Sequence, residues 1–495
     1  PLMNLYTRDN TNDGGGWDIR LSHVMQTAHY GYPSLYINFS EEIMPPLADY
    51  GGGSGCGAMY FQDDRWPIPF NDQLLTCDWG RSEVFAHRLP VNGATFDAHQ
   101  EPFVTIPRPT DIDADASGRL YVSSWKNGQF NYDGPNIGFV AMITPIDFVP
   151  QPVPAVADLT ALSLVELLRH PSAAMRLHVQ RELLRRVAGA DSNTRASVTA
   201  ALRAVADDSS ASQHARVVAL WTLRQANAAA FGLAAASWLG DEELAEHAIR
   251  AVADLAGNAD VQPALVAAVR EQLSSPSPRV QAAAVIAAGR LGDREAASRL
   301  LQVASQPLED AGADAAEPID DWRLPHPQRV LPHRAMQAVV ALDAVDACIE
   351  ALPGSSSRGA LWALKHLHSA EAVDGLFRTL ASTRDDTLRQ EIWTTLIRLS
   401  RREGDYTADS PGWWGTRPDT TGPYYDREEW SESERIAEAV AVALGEAAEP
   451  LATHLKDQLA RHVVEIGGGA AAPVAAMDEL AEPIAVPAFD PGDPD

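Results

Sequence analysis

Cysteine is scarce in this chain. Only Cys56, Cys77 and Cys348 occur, and no CxxC or CxxCH is present. Cysteine zinc sites and c-type haem attachment are therefore excluded from these residues, and no metal ligands are assigned. Cys56 and Cys77 fall in neighbouring predicted strands and could pair; two buried thiols is the favoured reading. Basic residues are also outnumbered, 39 against 67 acidic, for a net charge of -28. Such a surface repels phosphate backbones and anionic lipid heads, so nucleic acid and membrane surfaces are poor partners. No apolar run is long enough to span a bilayer. The opening PLMNLYTRDN has neither an initiator Met nor a signal h-region, so the true start is expected upstream.

What is present divides sharply. With 495 residues the chain exceeds a single core, and at least two domains are expected. Residues 1–148 are rich in Gly, aromatics and β-branched residues. Strand-like runs bounded by turn residues recur at 55–61, 73–79, 82–89, 102–106, 111–115, 118–125 and 138–145. The spacing predicts an all-β barrel, sandwich or propeller. The first four runs make one four-stranded blade, and the last three make a blade short of one strand. DxDxDxSG at 111–118 resembles a calcium loop, but lacks the Glu ligand and spacing of an EF-hand; a hairpin turn is favoured.

Residues 149–156 read as a stiff Pro-rich linker. Beyond it, Ala, Leu, Arg and Glu take over with helical periodicity. A Ser/Pro/Asp-rich turn, a basic or polar residue and helically spaced apolar residues recur at 170–184, 208–223, 240–255, 274–291 and 383–399. Arg176 to Arg216 is 40 residues and Arg358 to Arg389 is 31. Irregular periods of roughly 30–47 residues predict a HEAT-type solenoid over 157–466. Its repeat arginines read as repeat-stabilising. Insertions are expected at 306–330 and 403–430, and a flexible linker at 467–495.

Three groups of residues could carry chemistry. The Gly-rich 14–33 segment is expected to gather Asp18, Arg20, His23 and His29 in a loop, where an Arg and a His could bind an anionic cofactor and shuttle a proton. Asp78, Trp79 and Arg81 end a predicted strand, and Arg108 precedes one. In the 403–430 insertion, Trp413, Trp414, Arg417, Asp419, Tyr424, Tyr425 and Trp430 crowd together. They form either a stacking platform for ligand or partner, or a plug against the neighbouring domain.

Taken in order, WDIRLSHVMQTAHYGYP, PPLADYGGGSG, LLTCDWGR, RPTDIDADASGRLYVSSW, the helical repeats and WWGTRPDTTGPYY resemble membrane-bound dehydrogenase proteins of the planctomycete/verrucomicrobial type. Those join a glucose/sorbosone dehydrogenase-like propeller to HEAT repeats, often with a c-type cytochrome domain after them. The resemblance implies a multidomain β + α chain, a partial C-terminal β-propeller followed by an α-helical HEAT-repeat solenoid. It also implies export to the periplasm, PQQ as cofactor of the full-length protein, a sugar or alcohol substrate, and electrons passed to a cytochrome domain downstream. The catalytic His of such enzymes belongs to an earlier blade that is not in this chain. Arg108 matches a position that holds the quinone carboxylates, and Trp79 a ring-contacting one. The family's Lys falls at Gly80, with Arg81 one position on. The alternative is a non-catalytic propeller and solenoid that bind carbohydrate or a partner protein.

Overall fold

In the computed structural model, residues 2–9, 19–30, 42–126, 137–257, 261–307, 324–404, 427–462 and 464 are described. The N-terminal part builds three antiparallel sheets. Strands β1 (Leu5–Arg8), β2 (Arg20–Val24) and β3 (Ala48–Asp49) form the first, in that order. Strands β4 (Gly55–Phe61), β5 (Gln73–Asp78) and β6 (Glu83–Arg88) lead into the second. A small hairpin of β7 (Val91–Asn92) and β8 (Thr95–Phe96) follows, and β9 (His99–Thr105) completes the order β4-β5-β6-β9. Strands β10 (Pro109–Ala114), β11 (Leu120–Ser124) and β12 (Phe139–Ile143) form the third. The grouping of four and then three strands is the one the sequence implied.

The three sheets stack face to face, with the second in the middle. Strand β5 is buried along its whole length, its polar Gln73, Thr76 and Asp78 included. Its Leu75 and Cys77 pack with Ile112, Leu120 and Val122 of the third sheet. Its Leu74 packs with Leu21 and Phe96 on the other side. The inner strands approach closely. A Cβ at Gly57 would lie 2.4 Å from the Asp111 Cα, so glycine is required there. The predicted calcium-like loop is a hairpin turn: Asp115 accepts from the Ser117 and Arg119 amides at 2.9 and 3.1 Å. Cys56 and Cys77 are unbridged thiols, the former exposed.

The remainder, from Ala161, is helical. Its first pairs are α1 (Ala161–Leu167) with α2 (Ala173–Ala188), α3 (Ser192–Asp207) with α4 (Gln213–Ala226), α5 (Ala228–Trp238) with α6 (Ala245–Ala253), and α7 (Pro263–Glu271) with α8 (Pro278–Leu291). Then come α9 (Ala297–Ala304) with α10 (Pro327–Ala341), α11 (Val345–Ala351) with α12 (Ser357–Leu364), and α13 (Ala370–Ser382) with α14 (Asp386–Leu399). The last pair is α15 (Ser433–Glu446) with α16 (Glu449–Arg461). Even-numbered helices pack on even-numbered neighbours, giving a two-layer solenoid. All five motif instances are even-numbered helices. The motif's Ser and Asp are N-caps: Ser212, Ser277 and Asp385 accept backbone N–H bonds from the first turns they open. Its arginines tie turns together. Arg216 donates to the Ala206 carbonyl at 2.9 Å and pairs with Asp241 and Glu243.

Two boundaries shift. The insertion after α9 ends before Pro327, where α10 begins. Arg402–Glu403 and Arg427–Glu428, β13 and β14, pair antiparallel and form a neck for the second insertion.

The sheets rest on the even-numbered layer of the solenoid. Met44, Ala94 and Ala116 share one apolar cluster with the helices. A series of cations then reaches across the seam. From α2, Arg176 donates to Gln62; from α6, Arg250 donates to the Met3 carbonyl. From α8, Arg279 donates to Asn4 at 3.0 Å and lies over the Phe96 ring. From α10, Arg334 donates to the Gln26 carbonyl. The arginines that sequence reading left as repeat stabilisers therefore include several that hold the β unit.

Candidate functional site

Strand registers place two distinct ends on the β unit. Met25, Glu42, Gln62, Phe96 and Ala116 lie at the end that meets the solenoid. Arg8, Arg20, Asp78, Arg81, Arg108 and Trp125 lie at the opposite end, here called the rim. Three strand ends converge there. Trp79 follows β5, Arg108 precedes β10 and Trp125 follows β11. The Arg108 guanidinium lies 4.7 Å from the Trp79 ring centroid, a cation–π distance. The Trp125 ring sits 6.3 Å from Trp79 at a tilt of 48°. All three side chains are half-buried, and Lys126 beside them is exposed. The Trp125 amide donates to the Arg108 carbonyl at 2.9 Å, which fixes the two loops together. Arg108 has φ 45°, a left-handed conformation that costs a non-Gly residue energy and marks a constrained position.

Beneath this surface is a buried charge network. Asp78 is fully buried and pairs with Arg8 at 2.7 Å. It also accepts the Ser54 and Arg81 amides, each at 3.0 Å. Arg81 is exposed, but its terminal nitrogen donates to the Tyr50 carbonyl at 2.6 Å and to the Gly52 carbonyl. Arg20 is tied to Asp9 at 3.1 Å.

Sequence reading placed Arg20 and His23 in one loop; both stand on β2, and at its two ends. They are three residues apart, roughly 10 Å at strand rise, and so point to opposite faces. Only Arg20 belongs to the rim. His23 is 6% exposed, stacked on Tyr6 and edge-on to Phe96, with Nδ1 3.1 Å from the Thr95 hydroxyl. Burial, then Arg279, Arg334 and Arg250, lower its pKa to about 3. A base that weak, shut away from solvent, does not suit proton abstraction near neutral pH. Asp18, Trp413, Trp414, Arg417, Asp419, Tyr424 and Tyr425 lie outside the described residues. Of the aromatic insertion Trp430 is described. Its Nε1 donates to the Leu399 carbonyl at 2.6 Å and its ring meets His368 edge-on, both within the solenoid itself.

PQQ, which the resemblance implies, is a planar quinone carrying several carboxylates. At the rim Arg108 and Lys126 could meet those carboxylates, and the other donors fit them poorly. Arg81, Arg20 and Arg8 are already committed to internal carbonyls and carboxylates, and the position of the family's Lys is a glycine, Gly80. What the rim offers is two half-exposed indoles, a guanidinium stacked on one of them, and an adjacent ammonium.

Two features escaped sequence reading. Trp125 was embedded in a strand-like run, and only the folded register brings it to Trp79. Glu42 sits in a Pro-containing loop with every appearance of a surface acid, yet it is 2% exposed. It meets Lys365 at 3.5 Å, His366 at 3.4 Å and Arg398 at 3.8 Å. Burial alone would raise its pKa; Lys365, Arg398 and His366 overcome that and hold it well below the ordinary carboxylate value.

No protein-family model matches the chain, and no curated protein matches it. Among solved structures it is similar to importin beta, at 12% identity over 61% of this chain and 40% of that one, with a TM-score of 0.36. Kap121p matches at 11% identity over 62% of this chain and 38% of that one, with a TM-score of 0.31. The complex of CpcE and CpcF of phycocyanin lyase from Nostoc matches at 18% identity over 63% of this chain and 97% of that one, at 0.22. This chain therefore spans less than half the length of the first two.

Proposed function

We propose that the three stacked sheets are consecutive blades of a β-propeller and that the protein is a non-catalytic binding module. The blades are held on a HEAT-type solenoid, and the rim takes a carbohydrate ligand. One observation carries the reading. Trp79, Arg108 and Trp125 converge, half-exposed, from three strand ends on the end of the β unit turned away from the solenoid. Indole faces stack on the apolar face of a sugar ring. The Arg108 guanidinium, 4.7 Å from the Trp79 centroid, adds a positive charge beside the indoles that suits hydroxyl or carboxylate oxygens. Arg108 and Lys126 favour an acidic sugar, which the chain's overall negative surface would otherwise repel. Export to the periplasm, implied by the resemblance, remains part of this reading; passage of electrons to a cytochrome does not.

Calorimetric titration of the protein with acidic and neutral oligosaccharides, and with PQQ, tests the proposal. Acidic oligosaccharide should bind, Trp125→Ala should weaken it by about tenfold or more, and Arg108→Gln should remove the preference for acidic over neutral sugar. PQQ binding accompanied by dye reduction with sugars or alcohols would overturn the proposal in favour of a dehydrogenase.

A further inference from the structure

We infer that the seam between the β unit and the solenoid is an acid-operated joint: docked near neutral pH, and released as histidines buried in it take up protons. Seven of the chain's fourteen histidines stand at this seam. The His29 amide donates to the His333 Nε2 at 3.0 Å, directly across it. His366 faces Glu42, and His462 is packed against the same group of charges. His214 on α4 lies 3.9 Å from Asp72 of the β unit. His23 and His326 line one crevice of about 10 Å³ between β2 and α10, room for a single water. His326 is 5% exposed, and among the described residues neither of its ring nitrogens has a hydrogen-bond partner.

Arginines and lysines outnumber carboxylates around most of these rings; His214 is the exception, with Asp72 and Asp64 set against Arg176. His333 faces Arg334, Arg329, His29 and His366. His29 faces His366 and Arg398, with Glu42 as the acidic neighbour. His23 faces Arg279, Arg334 and Arg250. His462 faces Arg398, Lys365 and Arg461, again with Glu42 opposing. A proton added to the docked seam must therefore enter a dry, positively charged place. Burial, then these neighbours, lower His333 and His23 to about 3 and His29 to about 4. Once the seam opens, each ring meets water and returns to an ordinary value of roughly 6.5.

The sign follows directly. These are bases with lowered docked-state pKa values, so their contribution is full above about 6.5. It falls as the pH drops from there towards 4, because the released form binds more protons. Each such ring shifts the ratio of docked to released protein by about tenfold per pH unit, and three shift it about a thousandfold. Glu42, held low, adds to release only below its ordinary range. The fold allows parting without collapse. The sheets have apolar clusters of their own, and the Pro-rich segment around 145–155 connects them to α1.

The test uses the whole chain between pH 7.5 and 5.2, above its pI of about 4.8. Small-angle scattering reports separation of the units, and far-UV circular dichroism reports the helices. Expansion with a midpoint below pH 6.5, uptake of two or more protons and unchanged helicity are expected. His333→Gln keeps an acceptor for the His29 amide but cannot be protonated, so it should move the midpoint acidward and remove about one proton from the transition. His29→Gln should do the same if His333→Gln fails to fold. The inference is overturned by no expansion down to pH 5.2, by expansion that coincides with helix loss, or by both variants titrating like the wild type.

Discussion

The Glu42→Gln substitution probes the seam through a buried carboxylate. The amide keeps the shape and removes the charge, leaving Lys365 and Arg398 facing each other with side chains only 16% and 8% exposed. At an effective dielectric of about 20, a unit charge pair at 3.5–3.8 Å is worth roughly 4–5 kcal/mol. Returning the carboxylate's desolvation offsets several kcal/mol of the combined attraction, and the amide oxygen still accepts from Lys365. Removing one partner of a buried pair nonetheless costs about 3–5 kcal/mol, so a loss of about 3 kcal/mol is expected at pH 7.5. Urea titration, followed by energy transfer between a dye near the rim and one on α13, reads the loss. The loss should persist in 0.5 M salt, on the order of its low-salt value, since buried pairs are weakly screened. Glu101→Gln is the control: Arg88 and Glu101 are each 57% exposed, and less than about 1 kcal/mol should change. A loss below about 1 kcal/mol in Glu42→Gln would refute the reasoning.

Further outcomes follow from the same structure. Gly359→Ala should cost about 1–3 kcal/mol in thermal unfolding, because its Cβ would lie 2.7 Å from the Ala304 Cβ and the Ser305 hydroxyl. Asp385→Ala should cost about 1 kcal/mol, since its carboxylate accepts the Thr387 and Leu388 amides at 2.9 and 3.2 Å. Val140→Lys with Met142→Lys should reduce self-association in sedimentation without lowering stability. These residues are 67% and 59% exposed on β12, which pairs on one side with β11, and exposed apolar edges invite strand addition. Trp430→Ala should lower stability by a few kcal/mol, through loss of the Leu399 carbonyl bond and the His368 contact.

Local periodicity made most of the architecture legible. Strands β4 to β6 and β9 to β12 alternate or run apolar between turn residues, and the even-numbered helices repeat a capped, Arg-containing motif. Residues 14–33 read as a loop because glycines and polar residues surround Arg20–Val24 and hide a five-residue strand. The β7–β8 hairpin carried a usable sign, Asn92-Gly93, with Gly93 at φ 57°. The site was less legible. Trp79, Arg81 and Arg108 do share one end of the sheets. What Arg81 donates to depends on the Tyr50 and Gly52 carbonyls, and backbone acceptors leave no mark in a sequence. His23 looked reactive as a residue type, yet burial beside three arginines keeps it neutral. Glu42 shows the same limit from the other side: its partners lie more than 300 residues away.

The central claim is that the rim turned away from the solenoid receives the ligand. Hydroxyl-radical footprinting of the indoles, with and without saturating acidic oligosaccharide, tests it most directly. Protection should appear at Trp79 and Trp125 and not at Trp66 or at solenoid tryptophans such as Trp221, Trp362 and Trp430. Protection confined to the solenoid, or none at Trp79 and Trp125 while calorimetry shows binding, would contradict it.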